Sequence, residues 1–411
     1  MYWFYNLVLL LTSFLLRFLA LFNPKIRLFT QGRRHTLQKL AETFRPDDRV
    51  IWVHAASLGE FEQGLPVIRQ LKPAYPSHRI LLTFFSPSGY EVKKDSREVD
   101  FVSYLPIDTA ANARAFLSII SPELAIFIKY EIWPNFYREL NRRKIPLLLI
   151  SAIFKKQHVY FKWYGGFMRQ ALRVPAQIFV QDEASMDLLK SIDIVKVSIS
   201  GDTRFDRVSE ILGRDNSLPF MEVFCGDQPC LVCGSTWPED EALIIHYINN
   251  SNHRLKCVLA PHDIKSGHVQ KLKAAFNKGV VLYSELEGKD LKEASVLLVD
   301  TIGLLTKIYS YADIAYVGGG FATGLHNTLE PAVFGIPVLI GPNYQGFREA
   351  RELVSLGGLL VVEDRQGFTT AMDKLVNRPG FREQTGKINA AYVQEQQGAS
   401  IQIMAFIRSL L

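Results

Sequence analysis

Twice along this chain, apolar runs of strand length alternate with segments of helical period, and no other feature narrows its possible folds so far. The first series places strands at 51–54, 79–84, 101–105, 124–128, 146–150, 176–180 and 195–199. Helices at 61–71, 87–94, 110–119 and 134–142 fall between the first five. The stretch 206–229, with Gly213, Asn216, Pro219, Gly226 and Pro229, breaks the rhythm. It then resumes with strands at 230–233, 255–259, 280–282, 296–299, 313–317 and 338–340. Strand and helix in alternation predict a parallel sheet covered by helices, so two α/β domains are expected. Such a pair is expected to leave a cleft at the carboxyl ends of the strands, where α/β proteins bind ligands. The last 25 or so residues read as helical and are expected to pack back on the first domain.

Composition limits the class of partner. Of 411 residues, 48% are hydrophobic and 21% charged, which describes a large-cored globular protein and excludes a disordered one. A net charge of +6 favours anionic lipid or phosphorylated substrates. With no zinc finger, RNA-binding aromatic motif or long basic run, nucleic acid is not an expected partner. Cys230 and Cys233 have metal-like spacing, but no second pair exists and they sit in one apolar run. They read as buried free thiols rather than a zinc site.

Residues 2–22 are nearly continuous apolar sequence, interrupted by Asn6, Thr12, Ser13 and Arg17. About 20 such residues can cross a bilayer. No charge precedes the run, and Lys25, Arg27, Arg33 and Arg34 follow it, so a membrane anchor with the remaining chain on the cytoplasmic side is expected rather than a signal peptide. A helix lying flat in the interface is the other reading, since Arg17 weakens the spanning one.

Acids and glycines fall where strands end. In His54-Ala55-Ala56-Ser57-Leu58-Gly59-Glu60, a buried strand runs into small residues and a glutamate opens the next helix. Glu60 there is a candidate proton acceptor, or an acid that merely stabilises its own helix. Glu131, in Lys129-Tyr130-Glu131-Ile132-Trp133-Pro134-Asn135, follows another strand. Trp133 is a candidate either for stacking on a sugar ring or for packing. Arg204, in Gly201-Asp202-Thr203-Arg204-Phe205-Asp206, is suited to an anionic group or to a surface ion pair. Residues 318–331 read Gly-Gly-Gly-Phe-Ala-Thr-Gly-Leu-His-Asn-Thr-Leu-Glu-Pro after a buried strand. Glycines let a backbone approach a ligand, and a helix starting near His326-Asn327 would aim free N–H groups at a phosphate. Glu330, expected one turn in, could accept from ribose hydroxyls. The dehydrogenase pattern Gly-x-Gly-x-x-Gly is missing from the start of either domain.

Taken in order, the His54–Glu60, Glu131–Asn135 and Gly201–Asp206 segments, Gly-Ser-Thr at 234–236 and His326–Pro331 resemble the Kdo transferases. These are the 3-deoxy-D-manno-octulosonic acid transferases of lipopolysaccharide synthesis. The resemblance spans essentially the whole chain. It implies an α/β GT-B fold: two Rossmann-like domains facing a cleft, plus an N-terminal membrane-anchor helix. The expected bounds are 1–24 for the anchor, 33–205 for the acceptor-binding domain, 206–229 for a linker, 230–385 for the CMP-sugar domain and 386–411 for the returning segment. It implies inverting transfer of Kdo from CMP-Kdo to a hydroxyl of the lipid A precursor at the inner membrane, with anionic lipid as a further partner. Glu60 matches the family's catalytic base, while Glu131 and Arg204 match residues that assist the transition state. Pro261, His262, Ile302, Gly303, Leu304, Asn327, Thr328, Leu329 and Glu330 match its CMP-binding segments. His262 falls where the family has an arginine and Leu304 where it has an acid, which puts those contacts in doubt. No Asp-x-Asp pair suited to a sugar diphosphate is present, so neither metal nor cofactor is expected. Two other readings stay open: a GT-B enzyme using a UDP-sugar and a lipid acceptor, and a membrane-tethered, non-catalytic nucleotide- or lipid-binding protein.

Overall fold

A computed structural model describes residues 1–322 and 324–411. The chain divides into two compact units, one of residues 1–207 with 397–411 and one of residues 208–396. Each contains a seven-stranded sheet whose strands pair in parallel.

The first sheet consists of β1 (Arg49–Ala55), β2 (His78–Phe84), β3 (Phe101–Tyr104), β4 (Leu124–Ile128), β5 (Leu147–Ala152), β6 (Gln177–Val180) and β7 (Val197–Ile199). Their order is β3-β2-β1-β4-β5-β6-β7. Strand β1 shows no polar alternation because helices cover both its faces. Val50 and Trp52 enter one core with Phe116, Phe127 and Phe136. Ile51 and Val53 enter the other with Leu65, Ile68 and Ile126. The order reverses between β1 and β4, and an open α/β sheet offers its ligand crevice at such a point.

The second sheet consists of β8 (Cys230–Thr236), β9 (Lys256–Pro261), β10 (Val280–Leu282), β11 (Val296–Leu298), β12 (Ile314–Val317), β13 (Val338–Ile340) and β14 (Leu359–Val361). Its order, β10-β11-β9-β8-β12-β13-β14, differs from the first in placing β11 between β10 and β9, and it likewise reverses between β8 and β12. Strand β14 was not expected from the sequence, since three residues after Gly357-Gly358 leave no periodic signal. The four cysteines are free and buried, as their apolar setting implied.

Two expectations need correction. The 206–229 stretch is not bare linker, for it contains the end of the helix Thr203–Ser209 and all of the helix Pro219–Cys225. The segment from 386 onward is also divided. The helix Pro379–Glu395 lies in the second unit, and only the last helix, Ala399–Arg408, belongs to the first. Ile403, Met404 and Ile407 of that helix complete the core of the β1 face. The Asp206 carboxylate holds its start, accepting from the N–H groups of Gly398 and Ser400, each at 2.6 Å.

The apolar N-terminal helix, Tyr2–Leu19, is long and apolar enough to cross a membrane, and it buries none of its own residues. It is not detached from the first unit. Tyr5 donates to Asp108 Oδ2 at 2.9 Å, and the Ala110 N–H donates to Asn6 Oδ1 at 2.8 Å. The Tyr2 ring meets Phe167 edge-on at 4.8 Å. Burial pushes the Asp108 carboxyl up to about 7, against hydrogen bonds from Asn135, Phe136 and Tyr5. Further along, Leu10, Leu16, Arg17 and Leu21 line a cavity of about 830 Å³ together with Leu37, Ile107 and Asn112. The helix therefore runs alongside the unit, while Trp3, Phe4, Leu11, Phe14 and Phe18 remain exposed.

Candidate active site

In the first unit, both acids singled out from the sequence stand at the sheet's reversal point. Glu60 lies in the first turn of the helix Leu58–Ala74, which follows β1. It is 7% exposed, and its Oε2 accepts from the Ser57 N–H at 2.9 Å. The carboxylate thus does cap its own helix, so capping and base chemistry coexist in one side chain. Burial, then the nearby Glu131 charge, raise its proton affinity, while the Ser57 N–H and Lys129 oppose them. A base is most effective when its pKa is moved toward the working pH, and this shift has that direction.

Glu131 sits in the turn between β4 and the helix Pro134–Arg142. The turn begins at Lys129, whose φ of 69° is left-handed. For a residue with a side chain this costs roughly 1–3 kcal/mol and persists where the surroundings enforce it. Trp133 Nε1 donates to Glu131 Oε2 at 3.1 Å, and Tyr137 Oη donates to the Glu131 carbonyl at 2.7 Å. The Trp133 ring packs on Phe85 at 4.6 Å, so of the two roles weighed for it the structure shows packing. Arg204 opens with the helix Thr203–Ser209, and its Nε pairs with Asp202 Oδ2 at 2.8 Å. Neighbouring Thr203 donates to the Gln63 carbonyl, tying this turn to the Glu60 helix.

In the second unit, the nucleotide candidates gather around the ends of β8, β9 and β12. Strand β12 runs into Gly318, where a Cβ would lie 2.4 Å from the Ser235 carbonyl oxygen and 2.6 Å from Thr236 Cα. Only glycine fits between those two backbones. Gly319 follows with φ +90° and donates its N–H to Asp240 Oδ2 at 2.9 Å. The expected helix at His326-Asn327 is instead a single turn, Leu329–Ala332, with Glu330 as its second residue. Pro331 and the left-handed Gly335 keep it short, so a helix dipole is not the device that meets a phosphate here. Glu330 is held from two sides. Asn327 Nδ2 donates to its Oε1 at 3.1 Å and Thr306 Oγ1 to its Oε2 at 3.3 Å, which joins 327–330 to the helix that follows Leu304.

Pro261 ends β9, and His262 stacks on Trp237 with centroids 4.5 Å apart. His326 lies 4.9 Å from His262, and Trp237 Nε1 donates to His326 Nε2 at 3.1 Å. Burial, then His262, lower the His326 pKa, so the ring is a neutral acceptor at pH 7. Thr328 and Leu329 are buried beneath this surface, whereas Ile302 is 86% exposed and Gly303 lies beside it in the open. The structure therefore joins His262, Leu304 and 327–330 into one patch, with Ile302 and Gly303 at its rim.

Sequence reading missed Trp237 and Asp240. Asp240 is fully buried and accepts from Trp237 N at 2.8 Å, Gly319 N, and Tyr316 Oη at 2.6 Å. Trp-Pro-Glu-Asp carries the signal, because a proline at the first helical position and an acid two residues on mark a helix start. Asp240→Ala is expected to destabilise the protein by ~3 kcal/mol, since the buried Tyr316 hydroxyl and Gly319 N–H and the half-buried Trp237 N–H lose their acceptor. Urea unfolding followed by tryptophan fluorescence would measure this, and an unchanged midpoint would mean that water replaces the carboxylate.

Comparison with known proteins agrees with this geometry. Residues 17–207 match the family model described as 3-Deoxy-D-manno-octulosonic-acid transferase (kdotransferase). The 3-deoxy-D-manno-octulosonic acid transferase of Haemophilus influenzae is 28% identical over 99% of this chain and 97% of its own. That of Aquifex aeolicus is 27% identical over 84% of this chain and 92% of its own. Among solved structures, the UDP-GlcNAc 2-epimerase of Neisseria meningitidis covers 88% of this chain and all of its own, with TM-score 0.63 and 16% identity. That likeness identifies the fold as GT-B and goes no further.

Proposed function

Since this chain belongs to the Kdo transferase family, we propose that it transfers Kdo from CMP-Kdo to a sugar hydroxyl of a lipid A precursor in lipopolysaccharide synthesis. One observation carries the chemistry: a buried carboxylate of raised proton affinity stands where the first sheet reverses, beside a second acid. Glu60 takes the acceptor hydroxyl's proton as oxygen attacks the anomeric carbon, and CMP leaves from the opposite face with inversion. General-base help of this kind contributes ~10²–10⁴-fold. Glu131 and Arg204 assist as charge develops, with Asp202 orienting the guanidinium.

CMP is assigned to the second unit. Glu330, fixed by Asn327 and Thr306, receives the ribose hydroxyls, while Pro261, His262, Ile302, Gly303, Leu304, Thr328 and Leu329 form the surrounding surface. His262 offers a stacked ring where the family has a cation, so its contact relies on packing with Trp237 more than on charge. No metal is assigned to this transfer, because a monophosphate leaving group has less charge to neutralise than a diphosphate. Glu330→Ala should weaken CMP binding by roughly 1–3 kcal/mol, as ribose loses a charged acceptor. Calorimetry with CMP, UMP and UDP tests this and the choice of nucleotide together. Unchanged CMP affinity would show that the acid serves protein partners such as Asn327 and Thr306 and not the ribose.

The N-terminal helix associates the protein with the inner membrane, with both sheets on the cytoplasmic side. It lies flat in the interface, a reading favoured by its course alongside the first unit and its exposed aromatic and leucine residues. Arg17, Lys25, Arg27 and Arg34 then face anionic headgroups, whereas Arg33 is turned inward onto the carbonyls of Phe29, Phe85 and Leu105. Purified protein given CMP-Kdo and a lipid A precursor, with products read by mass spectrometry, tests the whole proposal. A mass gain of one Kdo supports it, and transfer from a UDP-sugar instead would overturn it.

A further inference from the structure

His54 ends the buried run of β1 with none of its surface exposed, and its two ring nitrogens have unlike surroundings. Nδ1 lies 3.1 Å from the Thr83 carbonyl oxygen and 2.9 Å from Thr83 Oγ1. A carbonyl only accepts, and the Thr83 hydroxyl directs its own hydrogen toward the Val53 carbonyl at 3.4 Å, so Nδ1 carries a proton. Nε2 is then a bare lone pair in the neutral ring. It is buried, has no hydrogen-bond partner, and lies 3.7 Å from Glu131 Oε2. A lone pair facing a carboxylate oxygen in a buried setting is repulsive, and one proton between them makes the contact attractive.

Among the described residues, the other faces of the ring supply no charge. β2 presents Thr83, β4 presents Phe127 at 5.0 Å, and Trp133 lies at 6.2 Å. The titratable groups that interact with Glu131 are Glu60 from the helix after β1, Tyr130 of its own turn, Tyr137 of the next helix, and Tyr160. Lys129 acts on Glu60, and His158 rests on Tyr130.

We propose that His54 and Glu131 share one proton as a net-neutral ion pair across 3.7 Å, so that the Glu131 charge acts on Glu60 only in part. His54 is a positioning residue, acting on Glu60 through Glu131. This rests on the assignment of Glu60 as the base. Without the shared proton, Glu131 stands as a full negative charge. Glu60 then binds its own proton more tightly, and the acid side of the rate profile moves to higher pH.

The test uses the full chain as wild type, His54→Phe, His54→Gln, Glu131→Gln and His54→Phe/Glu131→Gln. In kcat/KM against pH, His54→Phe is expected to move the acid limb upward by about half a unit or more. Glu131→Gln in the same background is expected to return it. An acid limb unmoved by His54→Phe, or moved alike in the double variant, overturns the proposal. A second readout needs no catalysis. Nitrogen-15 NMR of the histidine rings, with His54 identified by the signal missing from either His54 variant, should show its Nε2 resonance displaced in Glu131→Gln. An Nε2 resonance untouched by that substitution overturns the shared proton whatever the enzyme does. A wild type that transfers nothing from CMP-Kdo sinks the functional reading instead, and the NMR result still decides the pair.

Discussion

Replacing Glu60 by Gln is expected to lower turnover by about two orders of magnitude or more, while the protein remains folded and binds CMP as before. Gln is the sharper substitution because the carboxylate also accepts the Ser57 N–H at 2.9 Å. An amide oxygen keeps that cap and removes only the proposed base. Alanine would lose both, and the cap alone is worth about 1 kcal/mol. Stopped-time assays with a saturating acceptor, together with a melting curve, separate the two effects. A folded Glu60→Gln protein with near-normal turnover would transfer the base role to another residue.

Removal of residues 1–22 should do more than abolish the proposed membrane association. A sequence reading makes these residues a separable anchor that contributes nothing to either sheet. In the structure their first turn satisfies groups in the first unit. Asp108 is fully buried and loses the Tyr5 hydroxyl, while the Ala110 N–H and the Asn135 side chain lose Asn6. Three hydrogen bonds are lost, each with a net worth of about 1 kcal/mol, so a loss of ~3 kcal/mol follows. For a unit of this size that corresponds to a fall in melting temperature of about 6–12 °C. Asn135 begins the helix that holds Glu131 through Trp133 and Tyr137, so turnover on a soluble, short-chain acceptor should also fall, by about tenfold. Tyr5→Phe/Asn6→Leu keeps the helix and should reproduce part of both losses. A truncated protein with unaltered melting and turnover would restore the anchor to the status of a simple tether.

How much could be read in advance depended on whether the cause was local. The strands of both sheets were legible because a strand buried on two faces is a continuous apolar run, as β1 and β4 are. Glu60 and Glu131 were legible because each is a few residues beyond such a run. The short helix at Leu329–Ala332 was overestimated, since Pro331 and Gly335 curtail what looked like a normal start. The Tyr5–Asp108, Tyr316–Asp240 and Asn6–Asn135 pairs left little trace, because their members are 103, 76 and 129 positions apart. Spacing in a sequence reports the periods of helix and strand, and contacts at such range have none. His54 was visible as a motif residue, but its facing Glu131 across β1 and β4 depends on the pairing of His54 with Phe127.

The helix Ala399–Arg408 has a bearing on how the protein is made. Most of the first unit precedes the second in the chain, yet Ile403, Met404 and Ile407, which fill part of its core beside Leu65 and Ile68, are synthesised after the second. While the ribosome produces residues 208–396, that apolar face has no permanent cover, and the Asp206 carboxylate waits for the N–H groups of Gly398 and Ser400. The second unit is continuous in sequence and can fold first to completion, although it follows the first in order of synthesis. A nascent chain stalled before residue 398 would thus present a finished second unit and an exposed apolar seam on the first, which is the kind of surface that chaperones bind.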